Sequence, residues 1–362
     1  MTEISLLPGP VSLSAAVRTA LQKPLLYHRS DEFLSLFDAV RRQLAALAGG
    51  REVALFPGSG TVANDVIAAT LAAAGSLRGL ILNNGEFGKR LVGQAARFGL
   101  RPQVLTWNWG QPWDLEMIAT ALDDLPSDSW VWGVHHETST GVLNDLPGLM
   151  ELARQRDVRV CIDAISSLGA EPLDLCDVFL ASSTSGKALG SCSGIAMVFA
   201  NPDEIVQFDQ SCVPTCLDLA AAMTHAGPRF TFPSPPLHAL VAALNEYATP
   251  AQTRLRFESY TALGRYVRDE LRRLGLPPLA DECHASSAIA TFFAPNGWDS
   301  NSFVELCRRA GFLIGGQSTY LSERRLVQIA TMGAIRKQDC EAFFQYLDRT
   351  SCLSELCGRV SS

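Results

Sequence analysis

The sequence predicts an α/β protein, with a mostly parallel sheet covered by helices on both faces and a smaller α+β domain toward the C-terminus. Three observations carry this. Short apolar runs alternate with amphipathic stretches of helical period from Glu52 to Phe199, the pattern of strands joined by crossover helices. One run, 158–163, reads as a buried strand that ends in a carboxylate, Asp163. Beyond about residue 250 the order changes to a long helical stretch, then short strands and helices. The expected division is an N-terminal segment 1–14, a large domain 15–250 and a small domain 251–362.

Taken in order, Leu6-Leu7-Pro8-Gly9-Pro10-Val11 is stiffened by proline and loosened by glycine, so it should be extended or turning. In residues 31–47, Phe33, Phe37, Val40, Leu44 and Leu47 recur at helical spacing. Residues 52–56 read as a strand, followed by the turn Pro57-Gly58-Ser59-Gly60-Thr61 into a helix beginning near Val62. Further strands are expected at 79–83, 130–135 and 158–163, with an amphipathic helix at 146–156. Residues 237–274 read as mostly helical, with Pro250 expected to break or kink them. The closing domain has strand candidates at 289–293, 313–314 and 326–330 and helices at 302–310 and 337–347, while 351–362 show little periodicity.

Composition narrows the class of protein. The 362 residues are 47% hydrophobic and 19% charged, enough for a sizeable core. A net charge of −7 leaves no basic footprint for nucleic acid. No apolar run approaches the ~20 residues of a membrane span, and Met-Thr-Glu-Ile-Ser lacks the basic and apolar regions of a signal peptide. Ten cysteines without CxxC pairs read as reduced thiols. The expectation is a soluble cytoplasmic enzyme.

Its chemistry points to two residues. Lys187 lies in the small polar run Ser183-Thr184-Ser185-Gly186-Lys187 between apolar stretches, and Asp163 ends its strand. Ligands of open α/β sheets bind beyond the carboxyl ends of strands. An amine can form a Schiff base with pyridoxal phosphate, and a carboxylate can keep the pyridine nitrogen protonated so that the ring acts as an electron sink. Asp163-Ala164-Ile165-Ser166-Ser167-Leu168-Gly169 and Ser183-Thr184-Ser185-Gly186-Lys187-Ala188-Leu189 resemble the class V aminotransferase branch of the fold-type I pyridoxal phosphate enzymes. The loop His135-His136-Glu137-Thr138-Ser139-Thr140-Gly141-Val142 is similar to the HxETTTGx signature of its alanine–glyoxylate and aminophosphonate members. The resemblance runs from Leu6 to about Leu347.

That resemblance implies a set of roles. Lys187 and Asp163 are the catalytic pair. Ser59, Gly60 and Thr61 cradle the cofactor phosphate at a helix N-terminus, where the dipole also favours an anion. Phe87 and Ile165 cover the two ring faces, Thr138 bonds the phenolic oxygen, and Glu137 orients its loop. Members of the family commonly carry Gln or His before the lysine; here it is Gly186, so Ser183 or Ser185 takes that share of the phosphate. Thr231 would reach across to a partner's phosphate, implying a homodimer with shared sites. Pro8 and Gly9 pass the active-site mouth, Arg29 is a candidate substrate or subunit contact, and Trp107 and Trp109 are candidates for the entrance. A metal reading of His135-His136-Glu137 is disfavoured, because adjacent strand residues face opposite ways and no HExxH spacing is present.

One position departs from the family. The usual Arg-Ile-Gly-x-x-Gly, whose arginine takes a substrate carboxylate, reads Gln328-Ile329-Ala330-Thr331-Met332-Gly333. Gln328 donates hydrogen bonds without charge, and a charged hydrogen bond is worth roughly 1.5–3 kcal/mol against about 1 for a neutral one. Arg324, Arg325 and Arg29 are the candidate replacements. The first expectation is therefore an aminotransferase moving an amino group between a small amino acid or aminophosphonate and a 2-oxo acid. A second, favoured by Gln328, keeps the cofactor but eliminates, replaces, decarboxylates or forms carbon–carbon bonds. A third, a non-enzymatic scaffold, is opposed by the presence of both Lys187 and Asp163.

Overall fold

The computed structural model describes residues 3–350 apart from Ser127. The expectation for 351–362 lies outside the described residues. Seven strands form the central sheet, in spatial order Glu52–Gly58, Gly194–Ala200, Leu180–Thr184, Arg159–Asp163, Trp130–Val134, Gly79–Asn83 and Gln103–Thr106. All are parallel except Gly194–Ala200, which runs antiparallel to both neighbours. Parallel strands need crossovers, and the helices that supply them cover both faces.

The sequence makes these strands apolar on both sides for this reason. Trp130, Trp132 and Val134 enter one apolar layer while Val131 enters the other. Cys161 and the pair Val160 and Ile162 divide in the same way. Helix Asp31–Leu47 buries Phe33, Phe37, Val40 and Leu44 along one stripe. Ser30 starts it by accepting the Phe33 N–H, with Asp31 and Glu32 in the positive first turn. Helix Gly60–Ala73 starts two residues before the expected Val62, because Ser59 adopts the extended conformation of an N-cap.

The C-terminal portion has its own apolar cluster, including Leu6, Val267, Phe292, Phe303 and Phe343. Strands Ile289–Phe293 and Leu326–Ala330 pair antiparallel there. The N-terminal strand Ile4–Leu6 pairs with Phe312–Ile314 of this portion, yet the next helix, Ala15–Ala20, puts Val17 against Ala239 and Ala243 of Ser234–Leu244. Residues 8–10 therefore bridge the two portions.

Pro250 acts differently from the expected kink. Helix Ser234–Leu244 ends before a short 3₁₀ turn, and Pro250 opens a new helix, Pro250–Arg273. Its missing N–H costs nothing at a first helical position, and Thr249 caps the end by accepting the Gln252 N–H.

That long helix packs closely enough to reverse an ordinary propensity effect. A methyl group at Gly264 would sit 2.2 Å from the Ser287 carbonyl oxygen, whereas one at Gly93 in helix Glu86–Arg97 would meet nothing within 4 Å. Gly→Ala inside a helix is normally worth about 0.8–1 kcal/mol. Gly93→Ala should raise the unfolding free energy by that order, read from a higher denaturant midpoint at unchanged slope, and Gly264→Ala should lower it. Stabilisation by both would contradict the packing of Pro250–Arg273 on residue 287.

Candidate active site

The C-terminal ends of the parallel strands open into a cavity of about 690 Å³. Gly9, Pro10, Ser59, Gly60, Thr61 and Lys187 line it, together with Asn64, Phe87, Arg90, Ile165 and Ser193. They come from the turns and helix starts that follow several strands of the sheet, and from the N-terminal segment, as ligand sites in open α/β sheets do.

Asp163 is buried at the last residue of its strand. Its Oδ1 accepts the Ile165 N–H at 2.9 Å and its Oδ2 accepts the Asn64 side-chain amide at 2.8 Å. Ser182 Oγ donates to Asn64 Oδ1 at 2.6 Å, so the amide is oriented from behind. Burial pushes the carboxyl up to about 6, against the pull of Asn64, the Ile165 N–H and the Lys187 charge. Asn64 was not singled out from sequence. The available signal was the polar pair Asn64-Asp65 in the otherwise apolar helix start Val62-Ala63-Asn64-Asp65-Val66-Ile67-Ala68-Ala69.

Lys187 follows the strand Leu180–Thr184 and is nearly buried; desolvation lowers its amine to about 8, with Asp163 opposing and Arg90 assisting. Its Nζ donates to the Pro8 carbonyl oxygen at 2.6 Å. A methyl at Gly9 would lie 3.1 Å from Nζ, and Gly9 has φ +159, so the segment approaches the amine closely because it has no side chain there.

Ser59 makes no side-chain cap bond, which leaves the first turn of helix Gly60–Ala73 with N–H donors facing the cavity. A methyl on Gly60 would lie 2.5 Å from Ile165 Cδ1. Phe87 and Ile165 both line the space between the anion cradle and Lys187. Phe87 is held by a buried anion: Glu137 accepts the N–H groups of Phe87, Gly88 and Ser139 at 3.1, 3.0 and 3.1 Å and the Ser139 hydroxyl at 2.5 Å. Desolvation raises this carboxyl and these donors oppose the rise. A carboxylate at the N-terminus of Glu86–Arg97 also suits the helix dipole.

Other expected residues lie elsewhere. Thr138 Oγ1 shares a 2.6 Å hydrogen bond with Ser166 Oγ and is buried. Ser185 donates to the Cys192 carbonyl at 2.6 Å, turning into its own loop, and Ser183 faces the Ala164 carbonyl at 3.4 Å. Thr184, Gly186 and Ser193 meet the cavity instead. Thr231 lies in a different cavity of about 400 Å³ with Phe230 and Phe232. Arg29 is exposed and outside the Lys187 cavity. Gln328 is buried and gives its amide hydrogens to the Thr138 carbonyl at 2.5 Å and Thr291 Oγ1 at 2.9 Å. Trp109 stacks under Arg324, 4.1 Å from the ring centroid, and Arg325 donates to the Trp298 carbonyl at 3.0 Å. His136 is buried and pushed down to about 3 by desolvation, so the imidazole is neutral.

The class-V aminotransferase family model matches residues 17–217. The chain belongs to the class V aminotransferases. A 2-aminoethylphosphonate–pyruvate transaminase of Burkholderia ambifaria is 30% identical over 348 residues, covering 93% of this chain and 92% of that protein. The corresponding transaminase of Vibrio cholerae is 29% identical over 350 residues, 93% of this chain and 94% of that one. Among solved structures, an alanine–glyoxylate aminotransferase from Nostoc sp. superposes with TM-score 0.85 at 25% identity, covering 96% of each chain. A Thermus thermophilus aspartate aminotransferase gives TM-score 0.85 at 25% identity over 97% of this chain and 99% of that one. The fold is that of the fold-type I pyridoxal phosphate enzymes, and the protein is a pyridoxal phosphate-dependent aminotransferase. The non-transaminating alternative is not favoured by these relatives.

The cavity fits the cofactor. It offers one amine and an uncapped helix start, the buried Asp163 carboxyl stands directly behind its lining residues Asn64 and Ile165, and the methyl-free Gly60 keeps the space beside Ile165 open. In the cofactor-free protein the folded Asp163 carboxyl is raised above its ordinary value of 3.8. Its contribution to stability is therefore present at lower pH and is lost as pH rises through about 6. Asp163→Asn should remove up to about 3 kcal/mol of that slope, read as the difference in denaturant midpoint between the two proteins from pH 4 to 7. A difference that does not change with pH would contradict the burial of this carboxyl.

Proposed function

We propose that the protein transfers the amino group of a small amino acid or aminophosphonate to a 2-oxo acid, with Lys187 and Asp163 as its catalytic pair. The observation that carries this reading is a desolvated amine on the cavity, coupled by charge to a buried carboxyl just behind the wall, whose two donors come from the cavity-lining residues Asn64 and Ile165. The named activity of the aminophosphonate transaminases, which match over nearly the whole chain, supports the substrate class.

When bound, pyridoxal phosphate supplies an electron sink for the negative charge that develops at the substrate Cα. Lys187 would hold the cofactor covalently through Nζ, and, once displaced by the substrate amine, its neutral amine would take the proton from the substrate Cα and deliver it to C4′ of the cofactor. The Pro8 carbonyl gives the displaced amine an acceptor at the cavity wall. Asp163 keeps a proton on the ring nitrogen, with Asn64 and Ile165 N–H fixing the direction of its oxygens. Ser59, Gly60 and Thr61 would hold the phosphate, Phe87 and Ile165 would confine the ring, and Thr138, whose hydroxyl bonds Ser166 Oγ, would take the phenolic oxygen. Ser185 supports the loop that carries Gly186 and Lys187.

The assembly in this reading is a homodimer. Thr231 and Arg29 lie outside their own chain's Lys187 cavity, which supports a role for them at a partner's site. Leu25, Tyr27 and Phe230 near them expose large apolar side chains, 78%, 63% and 51% of each, as a subunit interface requires. The same reading divides the chain at residues 14 and 250. No helix among the described residues is long and apolar enough to cross a membrane. Cys176, Cys212, Cys216 and Cys283, exposed and without a disulfide among the described residues, support a reducing, cytoplasmic compartment.

Two measurements test the reading. Mixing the holoenzyme with 2-aminoethylphosphonate or alanine should convert the bound cofactor to its amine form, and pyruvate or glyoxylate should reverse the change; no conversion by any primary amine would contradict it. Lys187→Ala should lose the absorbance of the covalently held cofactor and reduce turnover by about 10²–10⁴-fold. Because the neutral amine is the nucleophile and Lys187 sits near 8, cofactor capture by the apoprotein should accelerate as pH rises through that value. A capture rate flat from pH 6 to 9 would contradict the assignment.

A further inference from the structure

An aminotransferase must hold the acid group of its substrate, and Gln328 is not available for it. Both hydrogens of its amide are spent on Thr138 O and Thr291 Oγ1, and its buried Oε1 has no donor. An oxyanion placed beside that acceptor would be repelled. The cavity that contains Lys187 presents two other cations, Arg90 and Arg97, both on helix Glu86–Arg97.

Arg90 is the one that is organised. Its Nε donates to Glu86 Oε1 at 3.1 Å. Its guanidinium carbon lies 4.8 Å from the Phe87 ring centroid and 5.7 Å from that of Tyr320. Among the described residues, neither Nη atom has a hydrogen-bond partner, because the contacts use the Nε edge and the flat faces. An arginine stacked in this way keeps its planar fork for a bidentate bond to an oxyanion. The i,i+4 pair with Glu86 is solvent-accessible and screens the charge only weakly.

Its position also fits. Arg90 lines the Lys187 cavity and a neighbouring one of about 580 Å³, which it shares with Lys89, Tyr320 and Arg324. It therefore stands on the wall between the reacting amine and a second space where three cations, Lys89, Arg90 and Arg324, outnumber the carboxylates Glu86 and Glu323. Its charge is felt at Lys187, where it helps to lower the amine. Glu137 fixes the first turn of the helix that carries it, so the fork is set relative to Phe87.

We propose that Arg90 is the specificity-determining cation of this enzyme, its Nη fork taking the phosphonate or carboxylate of a substrate whose amine is delivered to the Lys187 side of the cavity. This rests on the aminotransferase substrate class proposed above. The ligand class is a primary amine with an oxyanion a few bonds from nitrogen, and Tyr320 and Arg324 bring the C-terminal portion to the same subsite.

The test titrates the holoenzyme with 2-aminoethylphosphonate, β-alanine and the neutral β-alaninamide, reading the absorbance change of the bound cofactor. Arg90→Gln should raise the half-saturating concentration of the acids about tenfold or more, since a charged bidentate bond is replaced by a neutral one. It should leave the amide within about twofold and the cofactor affinity unchanged. Arg90→Lys should restore part of the acid preference through charge alone. The larger of the phosphonate and carboxylate ratios identifies the natural anion. Equal losses for acid and amide, or no loss for either acid, would overturn the proposal. A wild-type enzyme that converts none of the three amines or any other would instead overturn the substrate reading, before any variant is compared.

Discussion

The carboxyl of Asp163, taken out of water at the end of a central strand, is the constraint around which the site is arranged. A buried carboxylate is costly unless hydrogen-bonded and paired. Here two donors, Asn64 and the Ile165 N–H, meet part of the cost. The remainder appears as a raised affinity for a proton, to about 6. In the proposed reaction, a protonated pyridine against it would supply the missing positive charge. The same desolvation acts with the opposite sign on Lys187, bringing its amine to about 8. Two groups whose proton affinities are driven toward neutrality can exchange protons with a substrate at ordinary pH.

Rigid supports keep these groups in place. Glu137 ties the start of one helix to the loop after a neighbouring strand, and the absence of a side chain at Gly85 allows it, since a methyl there would lie 2.5 Å from the Glu137 carboxyl carbon and from Ser139 Oγ. The N-terminal segment does something similar on the other side. It joins the small sheet through Ile4–Leu6, touches Lys187 through Pro8, and docks a helix on the large portion through Val17. The segment thus joins the C-terminal portion to the wall beside the amine.

Much of this was readable from the residues because strand ends and small-residue turns leave strong marks. The apolar runs, the terminal Asp163, the Ser59-Gly60-Thr61 turn and the Gly186-Lys187 loop all stand where those marks pointed. What escaped was tertiary. Asn64 reads as one polar residue in a helix until the fold brings it to Asp163, 99 positions away in the chain. Arg90 looks like a solvated charge until Phe87 and Tyr320 bracket it. Ser185 and Gln328 matched sequence positions of interest, yet their hydrogen bonds run into a loop and to a neighbouring strand. Pro250 carried a breaker's signature but sits where a helix tolerates it.

The account requires covalent attachment of the cofactor at one place. Lys187 is the lysine on the cavity, while Lys23, Lys89 and Lys337 occur elsewhere in the sequence. Borohydride reduction of the holoenzyme followed by peptide mass mapping is the most direct measurement. One pyridoxyl group per chain, confined to the peptide containing Lys187, is the predicted result. A label on Lys23, Lys89 or Lys337, or none at all, would contradict it.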